Sequence, residues 1–581
     1  MKASSIVSLT TPFEEELKNT ATPLSEYPRP LLQRESYLCL NGEWDFSIIN
    51  INSSVTEYEG KINVPFPPES RISGIEREIK KNERMVYSTK FALPDGFLKD
   101  RLILHFGAVD QYCTVYINNR QAGTNIGGYL PFSIDITDFI HSGANELGVV
   151  VSDPLDKELP YGKQCEKRGG MWYTKISGIW QTVWLESVTN DYVKNLKITP
   201  TLNSVNIKID SDCVSKTIVL ETSDGKRKYT LNSDSINIKI ENPRLWSPED
   251  PYLYRFTVIC GNDTVKSYFA LREVTIKKSG NKPYICLNGK PYFFHGLLDQ
   301  GYFSDGIYTP TSYEAYKNDI LKMKACGFNM LRKHIKTEPQ LFYYYCDKYG
   351  MAVFQDFINS GKYNFLIDTA LPTLFLKKGI SHKASKTRCE EFIKTGEGIL
   401  DILYNHPSVL YYTIFNEGWG QFSADKCYTH FKGIDSTRIF DTTSGWFKNK
   451  LTDVESEHIY FKPVKLKAGK EKPLVLSEFG GYSCKIEKHS FNRDKTYGYR
   501  FFENTDDFGN SLLKLYSDEI IPAIKIGLNA AVLTQVSDVE DETNGLLTYD
   551  RKVLKVDSEK FKAIAAQLKT AFELTINRPD P

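Results

Sequence analysis

Several things are missing from this 581-residue chain, and each absence narrows what it does. No run of about 18 apolar residues occurs, so no membrane-crossing helix is predicted. The first residues, "MKASSIVSLTTPFEEEL", lack the apolar core of a signal peptide, and a cytoplasmic protein is expected unless a leader has been trimmed away. Charge of one sign is missing too. Lys and Arg total 73 against 72 Asp and Glu, a net charge of +1, so no overall field draws the chain to nucleic acid, polyanion or membrane. The eleven cysteines are odd in number and contain no CxxC pair, which suggests neither a zinc site nor a disulfide framework and predicts reduced thiols. No GxGxxG or GxxxxGK follows a strand pattern, which argues against a dinucleotide- or phosphate-binding enzyme.

What is present fits a multidomain globular protein. The chain is too long for one core, and its 41% hydrophobic and 25% charged residues are ordinary. Its 13% aromatic content suits strands and sugar-stacking surfaces alike. Up to about residue 188, short β-branched and aromatic runs such as "LNGEWDFSI" and "NELGVVVSD" alternate with turn signals and no helical period. This pattern predicts a jelly-roll sandwich over residues 1–188. From 189 to 277, "SVNIKIDS", "SINIKIEN" and "LYRFTVICG" alternate apolar with polar, the signature of an immunoglobulin-like β-sandwich with wet outer faces.

The pattern then changes. Between 278 and 581, eight short apolar strands are expected at 293–296, 329–332, 352–356, 410–416, 439–443, 457–460, 474–478 and 531–535. Helical stretches at 312–327, 339–350, 389–405 and 507–527 alternate with them, which is the arithmetic of a (β/α)8 barrel. Chemistry in that fold gathers where strands end. "VLYYTIFNEG" places Glu417 at the end of strand four, and "KPLVLSEFGG" places Glu478 at the end of strand seven. A carboxylate ending a buried strand is costly unless it is used. Two facing one another suit an acid/base and nucleophile pair for glycosidic-bond cleavage.

With these residues in hand, the chain resembles glycoside hydrolase family 2, the family of β-galactosidases, β-glucuronidases and β-mannosidases. "LNGEWDF", "FGAVDQYCTVYINNRQAGTNIGGYLPFSIDIT" and "SGIWQTVWLE" resemble its sugar-binding jelly roll. "NPRLWSPEDPYLY" resembles the end of its immunoglobulin-like domain, and "GFNMLRKHI" and "YCDKYGMAVFQDF" resemble its second and third barrel strands. The resemblance implies Glu417 as acid/base, Glu478 as nucleophile, Asn416 as ligand of the sugar 2-hydroxyl, Tyr460 as hydrogen-bond donor to the nucleophile, and Arg332 as its buried support. His334, His295 and Asp299 are expected near the same rim, where sugar contact and plain packing are both open to them. Trp419 is expected as an aromatic wall or a buried ring.

The resemblance implies a retaining exo-β-glycosidase with no cofactor and no metal, acting on a glycoside or oligosaccharide, and members of the family are commonly oligomeric. The family's uronate-gripping Asn-x-Lys element has no match in "QVSDVEDETNGLLTYDRK", and Asp538, Glu540, Asp541 and Glu542 would repel a uronate at the mouth. A β-galactoside is therefore the expected substrate. Positive charge from "RKHIK" (332–336) keeps a β-glucuronide or β-galacturonide as the alternative. A carbohydrate-binding protein without activity and an inverting glycosidase are the remaining rivals.

Overall fold

Strands of alternating burial build the first 188 residues of the computed structural model, which describes residues 5–222, 224–374, 383–467, 469 and 471–577. In Ala144–Ser152 every second side chain is buried, so Leu147, Val149 and Val151 line one face. That strand is central in a six-stranded antiparallel sheet, which packs on a four-stranded sheet built on Arg101–Phe106 and Val183–Val188. Trp44, Phe46, Tyr87, Phe106 and Leu185 fill the space between them. A three- and a four-stranded sheet, from Val193–Pro200 to Asp263–Phe269, form a second sandwich around Ile207, Ile218, Phe256 and Val258.

This second sandwich corrects one expectation. Cys213 and Cys260 are joined as a disulfide, and only the other nine cysteines are free thiols. The partners lie 47 residues apart, and sheet topology rather than local spacing brings them together.

A hairpin of Val274–Ser279 and Lys282–Leu287 follows, straddling residue 278. Its Val274, Ile285 and Leu287 pack with Phe294, Met330, Phe354 and Val532, closing the bottom of the next unit. That unit is a parallel barrel whose strands we number β1 (Phe294–Asp299), β2 (Met330–Lys333), β3 (Ala352–Asp356), β4 (Val409–Phe415), β5 (Ile439–Thr443), β6 (Glu455–Ile459), β7 (Leu474–Gly480) and β8 (Leu528–Thr534). Hydrogen bonding runs in the order β5-β4-β3-β2-β1-β8-β7-β6, so the barrel is closed except between β5 and β6. Seven of the strands are buried throughout because helices cover their outer faces. All the expected helices form. Two further helices of more than ten residues go beyond the sequence reading: Ala424–Ile434 and Ser558–Ile576. The last had a legible start, since the Asp557 carboxylate accepts from the N–H groups of Glu559 and Lys560. No described helix is long and apolar enough to cross a membrane.

The two sandwiches are locked to each other by charge. Arg34 donates from Nε and Nη2 to Asp263 of the second sandwich, both at 2.9 Å, and from Nη1 to Glu186 of the first at 3.0 Å. Glu186 also receives Arg29 and the Tyr27 hydroxyl. Burial pushes its carboxyl up, but Arg29, His105, Arg34 and Tyr27 outweigh burial and hold it well below the usual range. Removing one member of such a buried network strands the others without compensation. Arg34→Met is expected to destabilise the protein by about 3–5 kcal/mol. A denaturant midpoint within error of the parent protein would show that this joint is not under load.

Candidate active site

Arg332 stands near the end of β2 with its side chain inside the barrel, almost wholly buried, and the site is arranged around it. Its Nε donates to Asp356 Oδ1 on β3 (3.0 Å), its Nη1 to Glu478 Oε1 on β7 (2.9 Å), and its Nη2 to Asn416 Oδ1 after β4 (2.9 Å) and Ser444 Oγ after β5 (3.1 Å). One guanidinium thus ties four other strand ends into a fixed geometry, using the planar fork that only Arg has.

Glu478 is 6% exposed and takes the Arg332 bond on Oε1 and the Tyr460 hydroxyl on Oε2. Burial drives its carboxyl upward. The adjoining His458, the Arg332 charge, His334 and the Tyr460 hydrogen bond reverse that and hold it below the usual carboxylate range, so it is ionised at neutral pH. Glu417 faces it from a single 3-10 turn, Asn416–Gly418, at left-handed dihedrals (φ 50°, ψ 23°) that a non-glycine residue rarely adopts. Gly418 follows at φ 66°, and a Cβ there would come within 2.4 Å of the Phe447 ring. The Glu417 amide donates to Ser444 Oγ (3.2 Å), and its Oε1 meets His458 Nδ1 at 2.9 Å. One ligand oxygen of each glutamate and a His458 nitrogen lie within 4.8 Å of one another. Asn416 uses its amide oxygen on Arg332 and Ser444, which leaves its N–H groups for a ligand.

The glutamates and His458 are close enough to meet at one metal ion. Arg332 already lies against Glu478, however, and Tyr460 holds its second oxygen, so a cation would have to displace both.

Of the residues singled out from sequence, Arg332, Asn416, Glu417, Tyr460 and Glu478 converge here. His334 joins at one remove, with Nδ1 on Asp356 Oδ2 at 2.7 Å and burial holding its proton affinity down. Trp419 forms part of an aromatic wall, edge-on to Trp172 (4.7 Å) and Tyr161 (5.6 Å) of the first sandwich. Two do not join. His295 sits near the start of β1, outside the barrel wall, tilted against Phe328 and bonded to Tyr516, and burial holds it neutral with a pKa of about 4. Asp299 forms an ion pair with Lys333 at 2.8 Å, away from the glutamates. Both are corrections with one cause: alternate residues on a strand face opposite sides, so nearness to a strand end does not set direction.

Both charge arguments are overturned as well. Lys333 is paired with Asp299 and Glu338, and Lys336 with Glu338 and two carbonyls, so neither lends free positive charge to the pocket. The acidic run is equally occupied. Asp538 pairs with Lys555, Glu540 accepts from the Thr174 amide, Asp541 binds Asn492, and Glu542 holds Tyr173 and Asn544. Burial pushes Asp538 up to about 6 and Glu540 up to about 7, further weakening the expected repulsion.

Sequence reading missed His458, Ser444 and Asp356. His458 was findable, because it stands two residues before Tyr460 near the end of β6 and so shares its face. Ser444 also had a signal, as a polar residue ending an apolar strand and followed by Gly. The share of the first sandwich in the pocket, from Tyr161, Lys163, Trp172 and Tyr173, had no local signal.

Family models match three consecutive stretches of the chain: the "sugar binding domain" of glycosyl hydrolases family 2 at 60–188, "glycosyl hydrolases family 2" at 182–272, and its "TIM barrel domain" at 276–553. The chain belongs to glycoside hydrolase family 2. A β-galactosidase of Thermoanaerobacter pseudethanolicus is 27% identical over 296 residues, 46% of this chain and 39% of that protein. The chain thus spans about two-fifths of the length of the curated relatives it first matches. Among solved structures, a β-glucuronidase from an uncultured Clostridium superposes with TM-score 0.73 at 17% identity, covering 93% of this chain and 99% of that one. A family 2 β-galacturonidase from Eisenbergiella tayi gives 0.68 at 18%, covering 93% and 98%. At these identities the structures bear on the fold alone.

Glu540 provides a test of the contact between sandwich and barrel. Its Oε2 is buried with no hydrogen-bond partner among the described residues. Burial, opposed by Thr174 and Arg168, raises its pKa from 4.5 to about 7. A raised carboxyl binds its proton more tightly when folded, so the folded state is penalised above about pH 7 and relieved as pH falls toward the unfolded value. Glu540→Gln is expected to raise the melting temperature at about pH 8.5 and to leave it unchanged near pH 4.5. An equal gain at both values would mean that the carboxyl titrates alike in the folded and unfolded states and that the gain is not one of charge.

Proposed function

We propose that the protein is a retaining exo-β-glycosidase that releases a terminal β-linked sugar by double displacement. The observation that carries this reading is the carboxylate pair, with one oxygen from each glutamate within 4.8 Å. Retaining enzymes hold their carboxyl groups about 5–5.5 Å apart, whereas inverting ones leave about 6.5–9.5 Å for a water. Glu478, ionised and aimed by Arg332 and Tyr460, attacks the anomeric carbon while Glu417 gives its proton to the leaving oxygen. The bond to the aglycone breaks and a glycosyl ester forms on Glu478. With that charge gone, Glu417 gives up a proton more readily and takes one from water, which displaces Glu478 and restores its carboxylate. Tyr161, Trp172 and Trp419 wall one side, which suits a pocket that takes a chain end.

The sugar we favour is a β-galactoside, on the absence of an Asn-x-Lys element that would grip a uronate: Asn544 is followed by Gly545 and Leu546. A uronide is the second reading, and Lys163 favours it. Its ammonium lies 5.9 Å from the Trp172 ring, close enough to His334 and Glu542 to influence both, and has no ion pair among the described residues.

A panel of nitrophenyl β-glycosides separates the two. Galactoside turnover above glucuronide and galacturonide is expected. The reverse ranking, with a selective loss on uronides in Lys163→Met, would transfer the assignment to a uronidase. Glu478→Ala should abolish turnover of every substrate. Glu417→Ala should lose about 100-fold to 10,000-fold on unactivated leaving groups and far less on dinitrophenyl ones. Added azide should restore the second step of Glu417→Ala and yield a β-glycosyl azide. Inverted product from the unmodified enzyme would remove the double displacement.

A further inference from the structure

His458 takes no part in the two-carboxylate scheme, yet it touches both carboxylates. Its Nδ1 lies 2.9 Å from Glu417 Oε1 and 3.4 Å from Glu478 Oε2, while its Nε2 lies 3.3 Å from Arg332 Nη1. A guanidinium has only donors, so the Arg332 contact requires Nε2 to carry the lone pair. The proton is then on Nδ1, and a neutral imidazole donates toward the glutamates. The ring is closely packed. A Cβ on Gly445 would sit 2.7 Å from it, and Trp446 packs edge-on at 6.1 Å. Besides Arg332 and the two glutamates, Asp441 on β5 is a charged group close enough to interact with it.

Glu478 already has a donor on each oxygen, from Arg332 and Tyr460. Glu417 has none but His458: its Oε1 takes Nδ1, and its Oε2 has no partner among the described residues. The imidazole therefore discriminates between the two oxygens of one carboxyl. An oxygen accepting from Nδ1–H cannot also point a proton at that hydrogen.

We propose that His458 is a positioning residue that keeps the transferable proton of Glu417 on Oε2 and commits Glu417 to its basic role in the second half of the reaction. This rests on the double-displacement reading above. In the first step Glu417 protonates the leaving oxygen from Oε2 and becomes a carboxylate, and the Nδ1–H···Oε1 bond becomes charge-assisted and stronger. Once Glu478 is esterified, its competing pull on Nδ1–H is weakened. Oε2 then accepts the proton of the attacking water, the ester bond breaks, and Glu478 leaves as carboxylate. His458 keeps its proton throughout.

Two variants isolate the donor. His458→Asn places an amide N–H at the Nδ1 position. His458→Gln can accept from Arg332 through its oxygen but leaves no donor beside Glu417. The substrate is the dinitrophenyl β-glycoside of whichever sugar the unmodified enzyme turns over, since its leaving group needs no acid. The Gln variant is expected to lose about 10-fold to 100-fold in kcat with kcat/KM nearly unchanged. KM should fall in step, with a burst of dinitrophenol and kcat restored by azide, which needs no base. The Asn variant should stay within about 10-fold of the parent enzyme. The burst amplitude counts competent sites, so misfolded protein does not imitate a slow second step. Equal losses in kcat and kcat/KM without a burst, or an Asn variant as impaired as Gln, would overturn the role given to His458 while leaving the glycosidase reading intact. Failure of the unmodified enzyme on every aryl glycoside would instead defeat that reading.

Discussion

The buried guanidinium of Arg332 is the constraint on which the barrel mouth depends. A carboxylate as deeply enclosed as Glu478 would otherwise take up a proton and cease to be a nucleophile. Arg332 supplies the compensating charge, and because its fork is planar and rigid it also dictates where Asn416, Ser444, Asp356 and His458 stand. Lysine would offer the charge without the geometry. The guanidinium is itself protected: it is 1% exposed and contacts two carboxylates, Asp356 and Glu478, so its charge is more than answered.

The strained backbone at Glu417 belongs to the same arrangement. A left-handed glutamate costs of order 1–3 kcal/mol and persists only where its surroundings over-determine it. Ser444 holds its amide, His458 its side chain, and the glycine after it lets the chain pass beneath Phe447. The turn brings a carboxyl that would have followed the strand direction back over the barrel axis, opposite Glu478.

Enclosure of the pocket is shared with the first sandwich. Tyr161 and Trp172 meet Trp419, and Tyr173 and Thr174 tie down Glu542 and Glu540. The acidic run 538–542 is thereby a joint between two units rather than a charged rim. Arg34, held by Glu186 of its own unit, joins the second sandwich to the first through Asp263.

Much of this was legible in the sequence. Strand periodicity changes from alternating to continuous near residue 280 because one class of sheet has a wet face and the other does not, and that change alone separates sandwiches from barrel. Glu417 and Glu478 were legible because a carboxylate ending a buried apolar run is a costly placement within a few residues of sequence. Direction and pairing were decided by tertiary structure. His295 and Asp299 stand on the same strand as the site borders yet face away from it, and the Cys213–Cys260 disulfide joins strands that no spacing rule connects. The charges of Lys333, Lys336 and Glu540 could not be assigned to the pocket before their partners were known. A side chain's chemistry is local, but whether its charge reaches a ligand depends on the groups that other strands and other domains bring within a few ångströms of it.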